Sequence, residues 1–300
     1  MLNMDVSIVI VSYNTEKLTL QCIDSIIKYT HGLEYEIIVV DNGSADNTIN
    51  EIKEKYKKVH IIENTKNLGF GSANNIGADY AKGKFLFFLN SDTVLLNNAL
   101  KKFVDFYLEY QDLKIGALGG WLLDKNMNVM HSGSKFPKIR DQAIGYLHKI
   151  LDKIKDKKSE RDYSVLLYYD TLNYHKIDYV TGADLFILKE TFEKIGGFDT
   201  DFFMYYEETY MQYRLKKDNY SNFLVKGPKI IHYCGKSQRK NFQKRLMFDK
   251  SNILFQRKTK PPFKVIIYKI IYVIFSEFAM IFAKEDKKNM FDYIKYISKW

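Results

Sequence analysis

The chain has 300 residues, with 46 Lys/Arg against 36 Asp/Glu, a formal net charge of +10, 46% hydrophobic residues, four prolines and two cysteines. That composition excludes a disordered chain, a collagen-like repeat and a disulfide-stapled mini-domain, and the length suits one large domain or one with an appendage. The charge is uneven, because residues 236–300 hold 16 basic and five acidic residues while 1–235 hold 30 and 31. A near-neutral unit with a basic tail is expected, at domain bounds of 1–235 and 236–300, and no nucleic-acid coat.

The first apolar run, Val6–Val11, ends in Ser12-Tyr13-Asn14. It has no basic n-region and is too short for a signal-peptide core, so it reads as a buried strand. Two cysteines suit a reducing compartment, and the chain is expected to be cytoplasmic. Leu18–Ile27 then repeats at helical spacing, followed by a strand at Glu36–Val40, a helix at Thr48–Tyr56 and a strand at Val59–Ile62. A helix at Ser72–Ala81, a strand at Phe85–Leu89 and a helix at Ala99–Tyr107 continue the series. Strands apolar throughout, separated by amphipathic helices, predict an α/β fold with a mostly parallel central sheet. Ligands gather at the carboxyl ends of such strands.

Residues 124–176 form a variable stretch with a helix expected around Ala143–Ile154. Apolar order returns at Ile177–Leu188, then come a short helix at Lys189–Ile195, a Gly196-Gly197 break and an acidic aromatic stretch from Phe198 to Tyr210. A helix is expected over Glu208–Lys217 and a last strand over Lys229–Tyr233, carrying His232.

Several polar segments sit where strands end, and each has a bland reading beside a chemical one. Asp41-Asn42-Gly43-Ser44 is a tight turn in which Ser44 or Asp46 caps the next helix, or it places Asp41 to accept hydrogen bonds from a nucleotide's base or ribose. Asn90-Ser91-Asp92 caps a helix starting near Leu96, or it offers Asp92 to a divalent cation on a nucleoside diphosphate. Asn67-Leu68-Gly69-Phe70-Gly71 with Asn74-Asn75-Ile76-Gly77 lacks the dinucleotide spacing and reads as a closely packed helix start. Glu207 and Glu208 suit a helix's first turn. The five apolar or aromatic residues before them, Phe202 to Tyr206, would desolvate a carboxylate and raise its pKa toward general-base range. His232 is a structural histidine or the partner of Asp92 at a metal.

Taken in order, these segments resemble the family-2 glycosyltransferases of the GT-A fold, especially the bacterial rhamnosyltransferase-like branch that builds surface polysaccharides. The resemblance runs from Val6 to about Ser237. It rests on Val9-Ile10-Val11-Ser12-Tyr13-Asn14, Val39-Val40-Asp41-Asn42-Gly43-Ser44-Ala45-Asp46, Asn67-Leu68-Gly69-Phe70 and Leu89-Asn90-Ser91-Asp92-Thr93. Thr181-Gly182-Ala183, Gly196-Gly197-Phe198-Asp199, Phe202 to Glu208 and Ile231-His232 complete it.

The resemblance implies a GT-A nucleotide-sugar-binding fold and a divalent cation, Mn²⁺ or Mg²⁺. It implies that Ser12, Tyr13, Asn14 and Asp41 grip the base and ribose of a nucleoside-diphosphate sugar, with Asn67 and Gly69 lining the same pocket. Asp92 would hold the metal, His232 would add a ligand, Glu208 would be the general base, and Gly182 and Ala183 would shape the donor-sugar and acceptor side. Two departures stand out. Asn90 replaces the first acid of the metal motif, so ligation rests on Asp92. Tyr210 stands where relatives often carry another acid, which keeps Glu207 as the alternative base.

The implied reaction is a single in-line displacement with inversion, onto a saccharide or polyprenyl-linked acceptor, with a loop around Phe198–Tyr206 excluding water. A nucleotidyltransferase would need a Gly-rich activation loop with Lys/Arg after Val11, which is missing. A non-catalytic sugar- or lipid-binding scaffold is the other alternative. The tail at 236–260 reads as a cationic helix with interleaved apolar residues. Phe263–Ala283 is mainly apolar but interrupted by Lys264, Lys269 and Glu277, which argues against a membrane span. An interfacial helix on the anionic inner face of the cell membrane is expected, with packing on the domain or in a homodimer as its alternative.

Overall fold

The structure, a computed structural model, describes residues 4–138, 173–233, 242–270 and Lys295. The helix expected at Ala143–Ile154 lies outside these residues, as do Cys234 and the segment 271–283.

Four strands form one half of the sheet, β1 (Val6–Ser12), β2 (Tyr35–Asp41), β3 (Val59–Glu63) and β4 (Phe85–Asn90), in the order β3-β2-β1-β4 with every pair parallel. Helices α1 (Glu16–Tyr29), α2 (Thr48–Lys55) and α3 (Phe70–Tyr80) connect them. The expected elements are found here within two residues at each end. Alternation splits the strands between two cores. Ile8, Ile10, Phe87 and Leu89 join Cys22, Ile23 and Ile26 of α1 on one face. Val9, Val40 and Phe88 join Ala73 and Ala78 of α3 on the other. Each of these side chains is essentially removed from water, worth about 1.5–3 kcal/mol for a large one. Close packing explains the glycines of α3, since a Cβ at Gly77 would come within 2.4 Å of Val9 Cγ1.

The second half of the sheet is mixed. Its elements are β5 (Thr93–Leu95), α4 (Ala99–Glu109), β6 (Ile115–Leu123), β7 (Gly133–Ser134), β8 (Tyr174–Ile177), β9 (Tyr179–Val180) and β10 (Asp184–Leu188). They are followed by α5 (Lys189–Lys194), α6 (Glu207–Lys217) and β11 (Ser221–His232). The order continues β4-β10-β6-β11-β5, with β8 also paired to β11 and β7 paired to β9 in a separate ribbon. β10 runs antiparallel to β4 and β6, whereas β6 and β11 run parallel.

Sequence expectation and structure part company in several places here, β7 and β8 among them. β6 was not anticipated. β11 starts at Ser221 rather than Lys229, because the Gly227-Pro228 pair that looks like a break is absorbed as an irregularity in the pairing with β6. Finally, Asn90, Ser91 and Asp92 cap no helix. The intervening Thr93–Leu95 forms a strand on β11, and α4 is capped by Asn98, whose side chain accepts from Lys101 N.

A second compact unit contains, among the described residues, 136–138, Met204–Tyr206, α7 (Phe242–Thr259) and a helix at 262–270. In α7, Leu246, Asp249, Ser251, Asn252, Ile253, Phe255 and Gln256 are all buried. Such residues occur on more than one side, so α7 is an interior helix of its unit and not the two-faced surface helix its charge suggests. Among the described residues no helix is long and apolar enough to cross a membrane.

Candidate active site at the carboxyl edge of the sheet

Register brings the polar strand ends together. Ser12 pairs with Asp41, Val11 with Asn90, and Asp41 with Glu63. At the end of β1, Ser12 is buried with its hydroxyl 3.1 Å from those of Thr15 and Thr19, while Tyr13 is 47% exposed. Asn14 takes a positive φ of 53°, which Asn tolerates better than most residues. Its amide N–H donates to Ser44 Oγ at 2.9 Å and its side-chain oxygen accepts from Ala45 N at 2.8 Å, tying the first loop to the second.

At the end of β2, Asp41 is 1% exposed. Oδ2 accepts from Gly43 N and Ser44 N at 3.2 and 2.9 Å, while Oδ1 is buried without a partner. An unsatisfied buried acceptor at a strand end fits a donor supplied by a ligand. Asn42, which the turn reading left without a role, organises the next loop. Its side-chain nitrogen donates to Asn67 Oδ1 and Gly69 O at 3.0 and 3.2 Å, and its oxygen accepts from Leu68 N and Asn64 Nδ2 at 3.0 and 3.2 Å. Asn67 Oδ1 also accepts from Gly69 N at 2.9 Å. Neither Ser44 nor Asp46 is the N-cap of α2, which is Asn47 without a side-chain cap; Asp46, one residue earlier, accepts from Thr48 N and Thr48 Oγ1.

Gly69 has φ 88° and ψ 168°, a region essentially restricted to glycine. A Cβ there would lie 2.2 Å from Phe203 O, and the neighbouring Phe70 N donates to that same oxygen at 2.9 Å. The loop expected to line the nucleotide pocket is thus pinned to the chain just ahead of the carboxylate pair.

At the end of β4, Asp92 Oδ1 lies 3.1 Å from His232 Nε2, and Asn90 Nδ2 lies 3.4 Å from the same ring nitrogen. The two residues expected to share a metal are therefore adjacent, through the pairing of Thr93 with His232 across β5 and β11. Asn90 Oδ1 is a further buried oxygen without a partner. Among the described residues no cluster of three His, Cys, Asp or Glu side chains is placed to hold an ion. One carboxylate, one imidazole and a nearby amide oxygen fit Mn²⁺ or Mg²⁺ only where phosphate oxygens and water complete the shell.

Asn90 N donates to Ala183 O at 3.0 Å, which places Gly182 and Ala183 beside the Asp92 end of the sheet. A Cβ at Gly182 would sit 3.6 Å from Glu208 Cβ and 3.3 Å from the Phe70 ring. The two glutamates occupy different surroundings. Glu207 is 4% exposed, faces Gly71, and has one oxygen with no partner; burial, reinforced by the charge of Glu208, pushes its carboxyl well above the usual carboxylate range. Glu208 is half-buried, with Oε1 3.2 Å from the Thr209 hydroxyl. Glu208 also pushes the Tyr179 phenol upward, adding to the larger effect of that ring's burial.

Sequence reasoning missed one carboxylate altogether. Asp184 at the start of β10 is 0% exposed, with Oδ2 accepting from Gly120 N at 2.6 Å and Oδ1 lacking a partner. Burial raises its carboxyl well above the usual range, against smaller opposing effects of that hydrogen bond and of His232. An acid lying directly after a Gly-Ala pair in an apolar strand is the signal that could have revealed it.

An α/β sheet whose parallel strand ends gather these loops, with an antiparallel strand returning beside the Asp-bearing β4, is the GT-A architecture. The profile of the family described as Glycosyl transferase family 2 matches residues 7–159, and the chain belongs to that family. Over 123 residues it is 40% identical to a poly(ribitol-phosphate) beta-glucosyltransferase of Bacillus spizizenii, covering 39% of this chain and 19% of that protein. Over 105 residues it is 32% identical to the UDP-Glc:alpha-D-GlcNAc-diphosphoundecaprenol beta-1,3-glucosyltransferase WfgD of Escherichia coli, covering 35% and 41%. The matched part is thus less than half of each relative. In fold, it is similar to the mannosyltransferase PcManGT from Pyrobaculum calidifontis, solved with GDP-Man and Mn²⁺, at TM-score 0.58 and 16% identity, covering 94% of this chain and 73% of that one.

Proposed function

We propose that the protein is an inverting glycosyltransferase that moves a sugar, a hexose or rhamnose, from a nucleoside-diphosphate donor to a saccharide or lipid-linked acceptor in surface polysaccharide synthesis. What supports this reading is the half-buried Glu208 lying against Gly182, next to Ala183 whose carbonyl accepts from Asn90 N, together with the 3.1 Å approach of Asp92 to His232. Relatives named for glucosyl transfer to poly(ribitol phosphate) and to a diphosphoundecaprenol-linked sugar support the acceptor class.

In this reading the base and ribose bind against Ser12, Tyr13, Asn14 and Asp41, where the unpaired Asp41 Oδ1 takes a donor from the nucleotide. Asn67 and Gly69 close that pocket under the control of Asn42. Glu208 accepts the proton of the acceptor hydroxyl as it attacks the anomeric carbon on the face opposite the diphosphate, a general-base role worth about 10²–10⁴ in rate. Glu207, whose burial pushes its carboxyl well above the usual carboxylate range, starts α6 and is kept from the acceptor. Asp92 and His232, with Asn90 near them, would hold a divalent cation, which when bound supplies Lewis-acid stabilisation of the departing diphosphate. The second unit, with the basic segment 236–300, serves to keep the enzyme at an anionic membrane face where a lipid-linked acceptor resides.

The test is sugar transfer from a panel of nucleotide sugars with Mn²⁺, comparing the native protein with Asp92→Ala and Glu208→Gln. Loss of transfer in both is expected. Undiminished rates in both variants would remove the proposal, and pyrophosphate release from a nucleoside triphosphate would favour a nucleotidyltransferase.

A further inference from the structure

Among the described residues, five non-glycine positions have positive φ, and two are consecutive aromatics, Tyr205 and Tyr206, each at 70°. Bulky side chains avoid this region, and such a conformation persists only where the surroundings over-determine it. Those surroundings are in the second unit. The Tyr206 ring centroid is 5.3 Å from that of Phe248 and 5.6 Å from that of Phe255, and Tyr205 is 5.6 Å from Phe248. Ser251, itself 4% exposed, donates its hydroxyl to Met204 O at 2.7 Å. All four contacts converge on three residues, and the peptide bond after Tyr206 leads into Glu207-Glu208. The contacting positions, Phe248, Ser251 and Phe255, recur at intervals of three and four and so share one stripe of α7.

We infer that α7 is a positioning element for the catalytic carboxylate, with Phe255 and Ser251 as positioning residues that hold Tyr205 and Tyr206 in the left-handed conformation from which α6 starts. The inference rests on the assignment of Glu208 as the base. The hydrogen bond to Met204 O fixes the backbone before the turn, and the aromatic contacts fix the side chains within it. Removing either allows the two tyrosines to relax toward ordinary φ, which re-aims the first turn of α6, and neither substituted side chain is itself assigned to the nucleotide. A displacement on the order of 1 Å at a reacting group is enough to lower turnover by about 10²-fold.

The experiment uses the full chain with Phe255→Ala, Phe255→Leu and Ser251→Ala, measuring kcat, donor KM and amide exchange across residues 203–208. Phe255→Ala is expected to lower kcat about ten-fold or more with donor KM within about two-fold, and to speed exchange in that segment. Phe255→Leu is expected to recover most of the rate. Ser251→Ala, which removes one hydrogen bond and leaves the packing in place, keeps the test open if Phe255→Ala does not fold, and should lower kcat by about three-fold or more with the same faster exchange. Native kcat and exchange in the folded variants, with Glu208→Gln inactive, would overturn this inference alone. A Glu208→Gln enzyme at full rate would overturn the base assignment and the inference with it.

Discussion

At the scale of single residues, the two adjacent glutamates are separated by burial rather than by sequence. Glu207 has lost its solvent and Glu208 keeps part of its own, which is why the proposed reading gives Glu208 the role of base. Glu208→Gln should therefore lower kcat by about 10²-fold or more, while Glu207→Gln, which keeps the shape of a neutral side chain, should stay within about ten-fold of native; steady-state kinetics at saturating donor reads the difference. Asp184 permits a separate test. Its folded carboxyl titrates above its ordinary value of 3.8, so its contribution is fully present below that pH and is lost as pH rises. Asp184→Asn is neutral throughout, and its Tm should gain on the native protein progressively from about pH 4 upward. A Tm difference that does not change with pH would show that Asp184 is not held protonated. Of these residues, Asp92 and Glu208 were legible because each lies next to an element boundary in a recognisable string. Asn42 and Asp184 were not, since a hydrogen-bond hub and a buried acid are defined by neighbours far along the chain, at Asn67 and Gly120.

At the scale of elements, the parallel half of the sheet could be read almost directly, because each strand is an unbroken apolar run bounded by polar loops. The mixed half could not. β10 and β11 owe their places to pairing partners 60 to 110 residues away, and Gly227-Pro228 disguises a strand that simply carries an irregularity. The same limit applies to the Gly69 loop. Its glycines looked like ordinary helix-start residues, yet Gly69 is required by a backbone approach from Phe203 and by a backbone conformation closed to other residues. Gly69→Ala should destabilise the fold by about 1–3 kcal/mol and weaken nucleotide-sugar binding, whereas Gly71→Ala, with its nearest side-chain neighbour at 3.1 Å, should cost less. Chemical denaturation of the two variants separates them, and equal stability would show that the Gly69 approach is not a constraint.

At the scale of the whole molecule, the net charge of +10 divides into a balanced sheet domain and a basic C-terminal segment, and the described part of that segment also carries an apolar face. In the helix at 262–270, Phe263, Ile266, Ile267 and Ile270 are each more than half exposed, while Val265 and Tyr268 are buried. The exposed four follow the spacing of one helix face. Lys264 lies in the same stretch, and Arg257, Lys258 and Lys260 precede it. An apolar stripe bordered by cations is what an anionic bilayer surface attracts, because the side chains lose water while the lysines stay at the headgroups. Burying two isoleucines contributes about 3–6 kcal/mol by area, so Ile266→Glu with Ile267→Glu should lower partition onto phosphatidylglycerol vesicles by about ten-fold or more. Turnover with a water-soluble acceptor should be unchanged, since both side chains are more than half exposed and neither is assigned to donor, metal or base. Raising salt should weaken native binding through the cations alone, leaving a residual that the double variant lacks. Native partition in the double variant would mean that this face does not meet lipid. Sedimentation would then decide whether a second copy of the chain covers it.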